Sequence, residues 1–109
     1  RITPGNSEDD RIMPNYVLLM NWTEQGIQSV KDSVERAEAA RSALKAQGVD
    51  LTDIYWTMGA HDLVCVVQAP DDATASAALL ALAGQGNLRT TTLRAFTPDE
   101  FRGVLSKLG

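Results

Sequence analysis

Four short runs of apolar or β-branched residues occur along the chain, separated by turn-forming and charged residues. Residues 16–20 are apolar at every position, which is typical of a strand that is buried on both faces. Residues 54–58 and 63–68 are rich in β-branched and aromatic side chains, and residues 88–96 contain three consecutive threonines. The pattern therefore predicts four strands.

Stretches with helical spacing separate these runs. Asp32 and Glu35 resemble a capping box, and apolar residues then recur every three or four positions until Gly48, where the helix is predicted to end. Residues 73–83 are almost all Ala and Leu and follow an acidic pair, which predicts a second helix. A third, C-terminal helix is predicted because the sequence Thr-Pro-Asp-Glu at residues 97–100 is a complete capping box.

The predicted order is strand, helix, strand, strand, helix, strand, followed by the C-terminal helix. This is the ferredoxin-like βαββαβ pattern, an α+β fold in which two crossover helices cover one face of a four-stranded antiparallel sheet. In the first strand Tyr16 and Leu18 point to one face while Val17 and Leu19 point to the other, so both faces are apolar. Because monomers rarely expose such a face, we expect a homodimer or a higher homo-oligomer that packs sheet against sheet.

Composition narrows the class of protein. A length of 109 residues fits one domain, which we place at residues 13–109, and the polar, aperiodic residues 1–12 read as a disordered tail or the remnant of an expression tag. The net charge of −4 argues against nucleic-acid binding, and no apolar run reaches the roughly 20 residues that a membrane span needs. A single cysteine and the absence of a signal segment favour the cytoplasm.

Three stretches, YVLLMNWTEQGI, YWTMGAHDLVCVVQAPDD and LRTTTLRAFTPDEF, resemble the GYD-domain family, small bacterial proteins of the dimeric α/β-barrel type. The likeness covers residues 15–108 and implies the ferredoxin-like fold and the dimer, but no activity. The family's Gly, Tyr, Asp signature falls at the hairpin between the second and third strands, where Gly59 and Asp62 match and His61 replaces the usual tyrosine. The effector-sensing domains of Lrp/AsnC-type regulators are similar and carry a Gly-x-x-Asp turn in the same hairpin, which implies a small-metabolite site.

The turn at residues 59–62 is the candidate binding site. Gly59 fits a backbone position with positive φ, and Asp62 either accepts hydrogen bonds from the turn amides or binds the ammonium group of a small zwitterion. Trp22 and Trp56 either line a ligand cavity or pack in the core or in the dimer interface.

His61 is a candidate for proton transfer, because a histidine side chain gains and loses a proton near neutral pH. No second His, Cys pair or spaced acidic cluster accompanies it, so the sequence predicts neither a metal nor another cofactor. Arg89 and Arg94 lie on opposite faces of the fourth strand and either bind a carboxylate or keep an edge strand soluble.

The sequence thus predicts a homo-oligomeric module that binds a small polar metabolite at the 59–62 turn and has no DNA-binding part. Two alternatives stay open. One is a cofactor-independent enzyme of the dimeric α/β-barrel type, a monooxygenase or isomerase in which His61 transfers protons. The other is a purely structural protein that assembles with other chains.

Overall fold

All four strands form one antiparallel sheet in the order β2-β3-β1-β4, which is the predicted ferredoxin-like topology. The computed structural model describes residues 13–109, so the tail predicted at residues 1–12 lies outside the described residues. The elements are β1 (Asn15–Trp22), α1 (Glu24–Gln28), a 3₁₀ turn (Val30–Asp32), α2 (Ser33–Ala46), β2 (Asp50–Trp56), β3 (Leu63–Gln68), α3 (Asp72–Ala83), β4 (Leu88–Ala95) and α4 (Pro98–Ser106).

One face of the sheet carries the hydrophobic core. Tyr16, Leu18 and Met20, which alternate along β1, are each at most 4% exposed. They pack in one cluster with Leu44 of α2 and Leu79 of α3, so both crossover helices cover the same face. Burying a large apolar side chain stabilises a fold by about 1.5–3 kcal/mol, and this face therefore supplies most of the driving force for folding.

The opposite face of the sheet is covered by no helix within residues 13–109. We call it the open face and define it by its apolar residues Val17, Leu19, Tyr55, Val64, Val66 and Leu93. These side chains are half-buried by their neighbours in the sheet or exposed, with Leu93 at 45% and Tyr55 at 62% exposure. The predicted apolar character of both faces is thus confirmed, and one of the two faces remains accessible.

Two predictions of element starts and ends are wrong. β2 spans Asp50–Trp56 rather than residues 54–58, because a bulge between Leu51 and Asp53 interrupts the alternation that marks a strand. The capping box predicted for α2 does not form. Asp32 ends the preceding 3₁₀ turn with φ −97° and ψ 11°, and from this non-extended backbone its side chain makes no hydrogen bond to the helix amides.

The starts of α3 and α4 match their sequence signals. Asp71 caps α3 by accepting from the Thr74 amide (2.7 Å), and Thr97 and Glu100 form the predicted capping box of α4. α4 nevertheless buries none of its residues against the described chain. Its apolar side chains and that of Leu108, in the turn after the helix, follow helical spacing and are 38–81% exposed, and we call this row the α4 stripe: Phe101, Val104, Leu105 and Leu108.

Candidate functional site

The last residue of the 59–62 turn anchors it to the end of β1. The backbone amide of Asp62 donates to the Met20 carbonyl oxygen (2.9 Å), and the Asp62 carboxylate Oδ2 accepts from the Trp22 amide (2.9 Å). The Asp62 carbonyl oxygen is already used, because it accepts from the Thr57 amide (2.8 Å). The carboxylate therefore extends the β1–β3 ladder by one step beyond the Met20–Leu63 pair.

This arrangement corrects the expectation that Asp62 bonds the amides of its own turn. The connection between β2 and β3 spans residues 57–62, which is longer than the four residues of the turn, and it folds Asp62 against the neighbouring strand. The carboxylate is half-buried, and its Oδ1 has no hydrogen-bond donor within residues 13–109. Within residues 13–109, one oxygen is thus structural and the other makes no hydrogen bond.

Asn21 belongs to this site, although the sequence does not single it out. Its Nδ2 donates to the Ala60 carbonyl oxygen (2.9 Å), which leaves its Oδ1 at 3.1 Å from His61 Nδ1. Because an amide oxygen only accepts, Nδ1 carries the proton and Nε2 is the nitrogen of the neutral ring that can accept one. The Thr57 hydroxyl donates to the His61 carbonyl oxygen (2.6 Å), so His61 is held by Asn21 of β1 and by Thr57 at the start of the β2–β3 connection.

Gly59 adopts φ +108°, a conformation that residues with a Cβ rarely adopt, so the turn itself requires a glycine. Trp22 packs against the core and lines a cleft between the helices, whereas Trp56 is 41% exposed and lines neither of the cavities described below. The structure therefore brings Gly59, His61 and Asp62 together with the backbone of Trp22. It does not place the two tryptophan side chains around a common cavity.

A cleft of about 360 Å³ lies between α2 and α3 over the core face of the sheet. Short side chains on both helices leave this space, including Ala40 of α2 and Ala78 of α3. The lining contains no histidine or carboxylate, and burial raises the pKa of its one thiol, Cys65, to about 11. Such a thiol is almost entirely protonated at neutral pH and is a poor nucleophile. The lining therefore offers no group suited to proton transfer near neutral pH.

A second cavity, of about 530 Å³, runs along the edge strand β4 on the helix side of the sheet, and we call it the β4 groove. Its lining comes from β1, α3 and β4: Tyr16, Asp72, Ala75, Ser76, Leu79, Leu80, Ala83, Thr90, Thr92 and Arg94. The buried Tyr16 hydroxyl donates to Asp72 Oδ1. Burial is the largest cause that raises the pKa of Tyr16 to about 12, and the hydrogen bond to Asp72 is the second largest.

Arg94 enters the same groove from the strand side. Its guanidinium carbon lies 5.7 Å from the centre of the Tyr16 ring and 4.6 Å from the centre of the Phe96 ring, which is cation–π geometry. Among the ion pairs formed within residues 13–109, none joins Arg94 to Asp72. The sequence singles out Arg94 but gives no signal for the pairing of Tyr16 with Asp72, because these two residues are 56 positions apart and belong to no motif.

The topology and the hairpin define a ferredoxin-like domain with an anchored Gly-x-x-Asp turn. Residues 16–105 match the GYD domain family, and the chain belongs to that family. Residues 13–109 contain no group of three or more His, Cys, Asp or Glu side chains that could hold a metal ion. No helix in the same range is long and apolar enough to cross a membrane.

A relative from Thermus thermophilus is 34% identical over 84 residues, which cover 76% of this chain and 88% of that protein. It is described as a glutamine synthetase and cystathionine beta-lyase binding protein. Two solved structures share the fold at 14% identity and a TM-score of 0.62: MtbAldR and an AsnC family transcriptional regulator from Agrobacterium tumefaciens. Each covers 89% of this chain, and this chain spans only 59% of each regulator.

Proposed function

We propose that this chain is a homo-oligomeric, cytoplasmic, bacterial protein-binding module whose partners are enzymes that act on amino acids. The observation that carries the proposal is the relative described as binding glutamine synthetase and cystathionine beta-lyase, at 34% identity over 76% of the chain. The open face and the α4 stripe support it, because exposed apolar surfaces of this kind mark contacts with other proteins. We assign the open face to self-association and the α4 stripe to the enzyme partner.

The open face suits a second copy because it is a broad surface that can pair with itself around a two-fold axis. Its apolar centre lies on the two inner strands, β1 and β3, and its edges carry the charged residues Asp53 and Arg89. An apolar centre with a polar rim is the usual anatomy of a stable interface. A standard interface buries about 800 Å² on each partner, which is a plausible area for a four-stranded face.

The α4 stripe suits a different partner because its helix has little stability of its own. α4 is 9 residues long and buries none of its residues against the described chain, and isolated helices shorter than about 12–15 residues are marginal in water. Docking the stripe into an apolar groove of a partner would supply the missing packing, and the residues at 101, 104, 105 and 108 have the spacing of helix-in-groove recognition.

The test is surface plasmon resonance with purified glutamine synthetase and cystathionine beta-lyase from the organism that encodes this chain. We expect the natural chain to bind at least one of the two, Leu105→Glu to bind roughly tenfold more weakly or worse, and Ser106→Glu to bind normally. Ser106 is the matched control, because it is an exposed neighbour on the other side of α4. No binding to either enzyme contradicts the proposal, and equal losses in both variants contradict the assignment to the stripe.

We propose as well that the 59–62 turn binds a small polar metabolite. Two groups support this: the Asp62 Oδ1 without a donor in the described chain and the neighbouring His61 Nε2, which together could hold an ammonium group and a second polar atom. Asp62→Asn keeps an oxygen for the Trp22 amide and removes the charge. Thermal-shift screening with amino acids and small acids should give stabilising hits that this variant loses, and identical responses in both proteins would contradict the site.

The enzyme alternative has less support. His61 lines neither the cleft nor the β4 groove, and its Nδ1 is bound to Asn21 rather than to a carboxylate that would orient it for proton transfer. The Asp62 carboxylate beside it is bonded to the Trp22 amide. The alternative of a purely structural assembly protein differs from our proposal only in the partner, and the same binding measurement separates the two.

A further inference from the structure

The β4 groove has a charged end and an apolar wall. Its α3 residues recur every three or four positions and its β4 residues alternate, so each element presents a single face to the groove. The bond between Tyr16 and Asp72 sets the start of α3 beside the Arg94 end of β4. The far end of the groove is then formed by Leu80, Ala83 and Thr90.

Within residues 13–109, the Asp72 carboxylate is held in place by a hydrogen bond to only one of its two oxygens. The Tyr16 hydroxyl occupies Oδ1, while Oδ2 receives no hydrogen bond from the residues that the structure describes. Tyr16 stays protonated throughout the physiological range, because its pKa is raised to about 12, so it donates to Asp72 at all relevant pH values. A positioned carboxylate with one free oxygen is suited to accept hydrogen bonds from an ammonium group.

The Arg94 guanidinium is positioned in a comparable way. The faces of the Tyr16 and Phe96 rings hold it, and its Nη1 donates to the carbonyl oxygens of Asn15 and Ala95. Its Nη2 and Nε donate to no acceptor in the described chain. Nη2 and Nε form one edge of the guanidinium, and such an edge can donate two parallel hydrogen bonds to a carboxylate.

We propose that the β4 groove binds a free α-amino acid with an apolar side chain. Asp72 accepts from the ammonium group, Arg94 donates to the carboxylate, and the side chain lies along Leu79 and Leu80. The two protein charges do not pair with each other, and a zwitterion placed between them satisfies both. The volume of about 530 Å³ falls within the range of small-molecule sites.

The site is separate from the 59–62 turn and from the proposed dimer interface. Tyr16 and Trp22 lie at opposite ends of β1, so the groove and the turn are at opposite ends of the sheet. The groove lies on the helix side, and pairing through the open face leaves it accessible. The inference therefore does not depend on the function proposed above.

The test is an NMR titration of the ¹⁵N-labelled chain with L-leucine, isopentylamine and 4-methylpentanoate. The last two probes each lack one of the charges of leucine. We expect leucine to shift the amide signals of Ser76, Thr90 and Thr92, and each single-charge analogue to bind roughly tenfold to a hundredfold more weakly. Shifts confined to the 59–62 turn would overturn this inference while supporting the other metabolite site, and no localised shifts, or equal affinities for all three probes, would also overturn it.

Substitutions test which residue binds each charged group of leucine. Arg94→Met and Asp72→Asn should each weaken leucine binding by a similar factor, whereas Arg89→Met, on the opposite face of the same strand, should not. Asp72→Asn keeps an oxygen for the Tyr16 hydroxyl, so it preserves the fold even if another substitution at this position would not. Unchanged leucine affinity in both groove variants would overturn the inference.

Discussion

Gly26 lies where α1 approaches the loop before β4 most closely. A Cβ at this position would stand 2.0 Å from the Asn87 carbonyl oxygen. The two segments cannot simply separate, because the Thr23 amide donates to Asn87 O (3.1 Å) and the Thr23 hydroxyl donates to Gly86 O (2.6 Å). We therefore expect Gly26→Ala to lower the free energy of unfolding by about 1–3 kcal/mol, as measured by urea denaturation.

Gly103 provides the matched control for this prediction. It also lies in a helix, and a Cβ there would meet nothing within 4 Å. Gly103→Ala should leave the free energy of global unfolding unchanged, because the higher helix propensity of alanine acts only on α4, which buries none of its residues against the described chain. Equal destabilisation by the two substitutions would show that the contact with Asn87 is not the cause.

Tyr16 makes stability depend on pH in the alkaline range. Its pKa is about 12 in the folded chain against 10.0 for an ordinary tyrosine, so between these values the unfolded chain loses a proton that the native chain keeps. The contribution is fully present below pH 10 and is lost as the pH rises through 12. Across this range we expect the free energy of unfolding to fall by about 1–2 kcal/mol, a value reduced because the Asp72 partner is exposed to solvent. The Tyr16→Phe variant should not show this fall.

The measurement is the difference in unfolding free energy between the natural chain and Tyr16→Phe from pH 9 to pH 12. Other groups that titrate in this window contribute equally to both proteins and cancel. Tyr55→Phe is the control, because Tyr55 is 62% exposed on the open face and its hydroxyl has no partner within residues 13–109. A pH dependence that is the same in all three proteins would contradict the prediction.

At the scale of residues, the sequence predicts what is local and misses what is distant. Gly59 could be predicted to have a positive φ because a turn of this kind requires it, and the structure confirms that conformation. Asn21 lies 40 positions from His61, and no sequence pattern links them. The sequence does not predict the hydrogen-bond partner of Asp62 either, because the Trp22 amide comes within reach of it only when β1 and β3 pair.

Two helices with comparable N-terminal caps should respond differently when the cap is removed. The Asp71 side chain caps α3, which packs into the core through Ala75, Ala78 and Leu79, whereas Thr97 caps α4, which buries none of its residues within residues 13–109. Asp71→Ala should lower the midpoint of global unfolding. Thr97→Ala should destabilise only α4, by about 1 kcal/mol, and leave the global midpoint unchanged.

Hydrogen exchange of the α4 amides is the measurement for Thr97→Ala, and urea denaturation is the measurement for both variants. Faster exchange confined to α4 would match the helix that the structure shows. A global loss of stability in Thr97→Ala would contradict it, because that result would mean that α4 packs on the domain in solution. The same hydrogen-exchange experiment with the enzyme partner present should slow exchange in α4 if the stripe docks there.

At the scale of elements, the helices and strands with the most local sequence signals are predicted best. α4 could be predicted from a complete capping box, and α3 from an acidic pair before an Ala and Leu run. The start of β2 cannot be predicted from alternation, because the bulge between Leu51 and Asp53 interrupts the pattern by which a strand is recognised. The 3₁₀ turn before α2 carries Asp32 out of capping geometry, which spacing alone does not show.

At the scale of the whole molecule, the fold could be predicted and the partners could not. Alternation in the first strand and helical spacing in the crossovers fix which side chains face the helices, and the structure confirms both faces. The open face is apolar for the same reason that the core face is, but nothing in that pattern identifies its occupant. Surfaces with one physical character can serve a second copy, an enzyme or a ligand, because each of these occupants removes apolar area from water.

Self-association through the open face can be tested by substitutions in β4. Leu93 and Thr92 are adjacent exposed residues of the edge strand β4, and they point to opposite faces of the sheet. Leu93→Lys should place a charge in the interface and raise the dimer dissociation constant roughly tenfold or more, whereas Thr92→Lys should leave it unchanged. Sedimentation velocity over a dilution series measures this, and the melting temperature of the natural chain should rise with its concentration. A natural chain that sediments as a monomer at every concentration would contradict the assignment of the open face to a second copy.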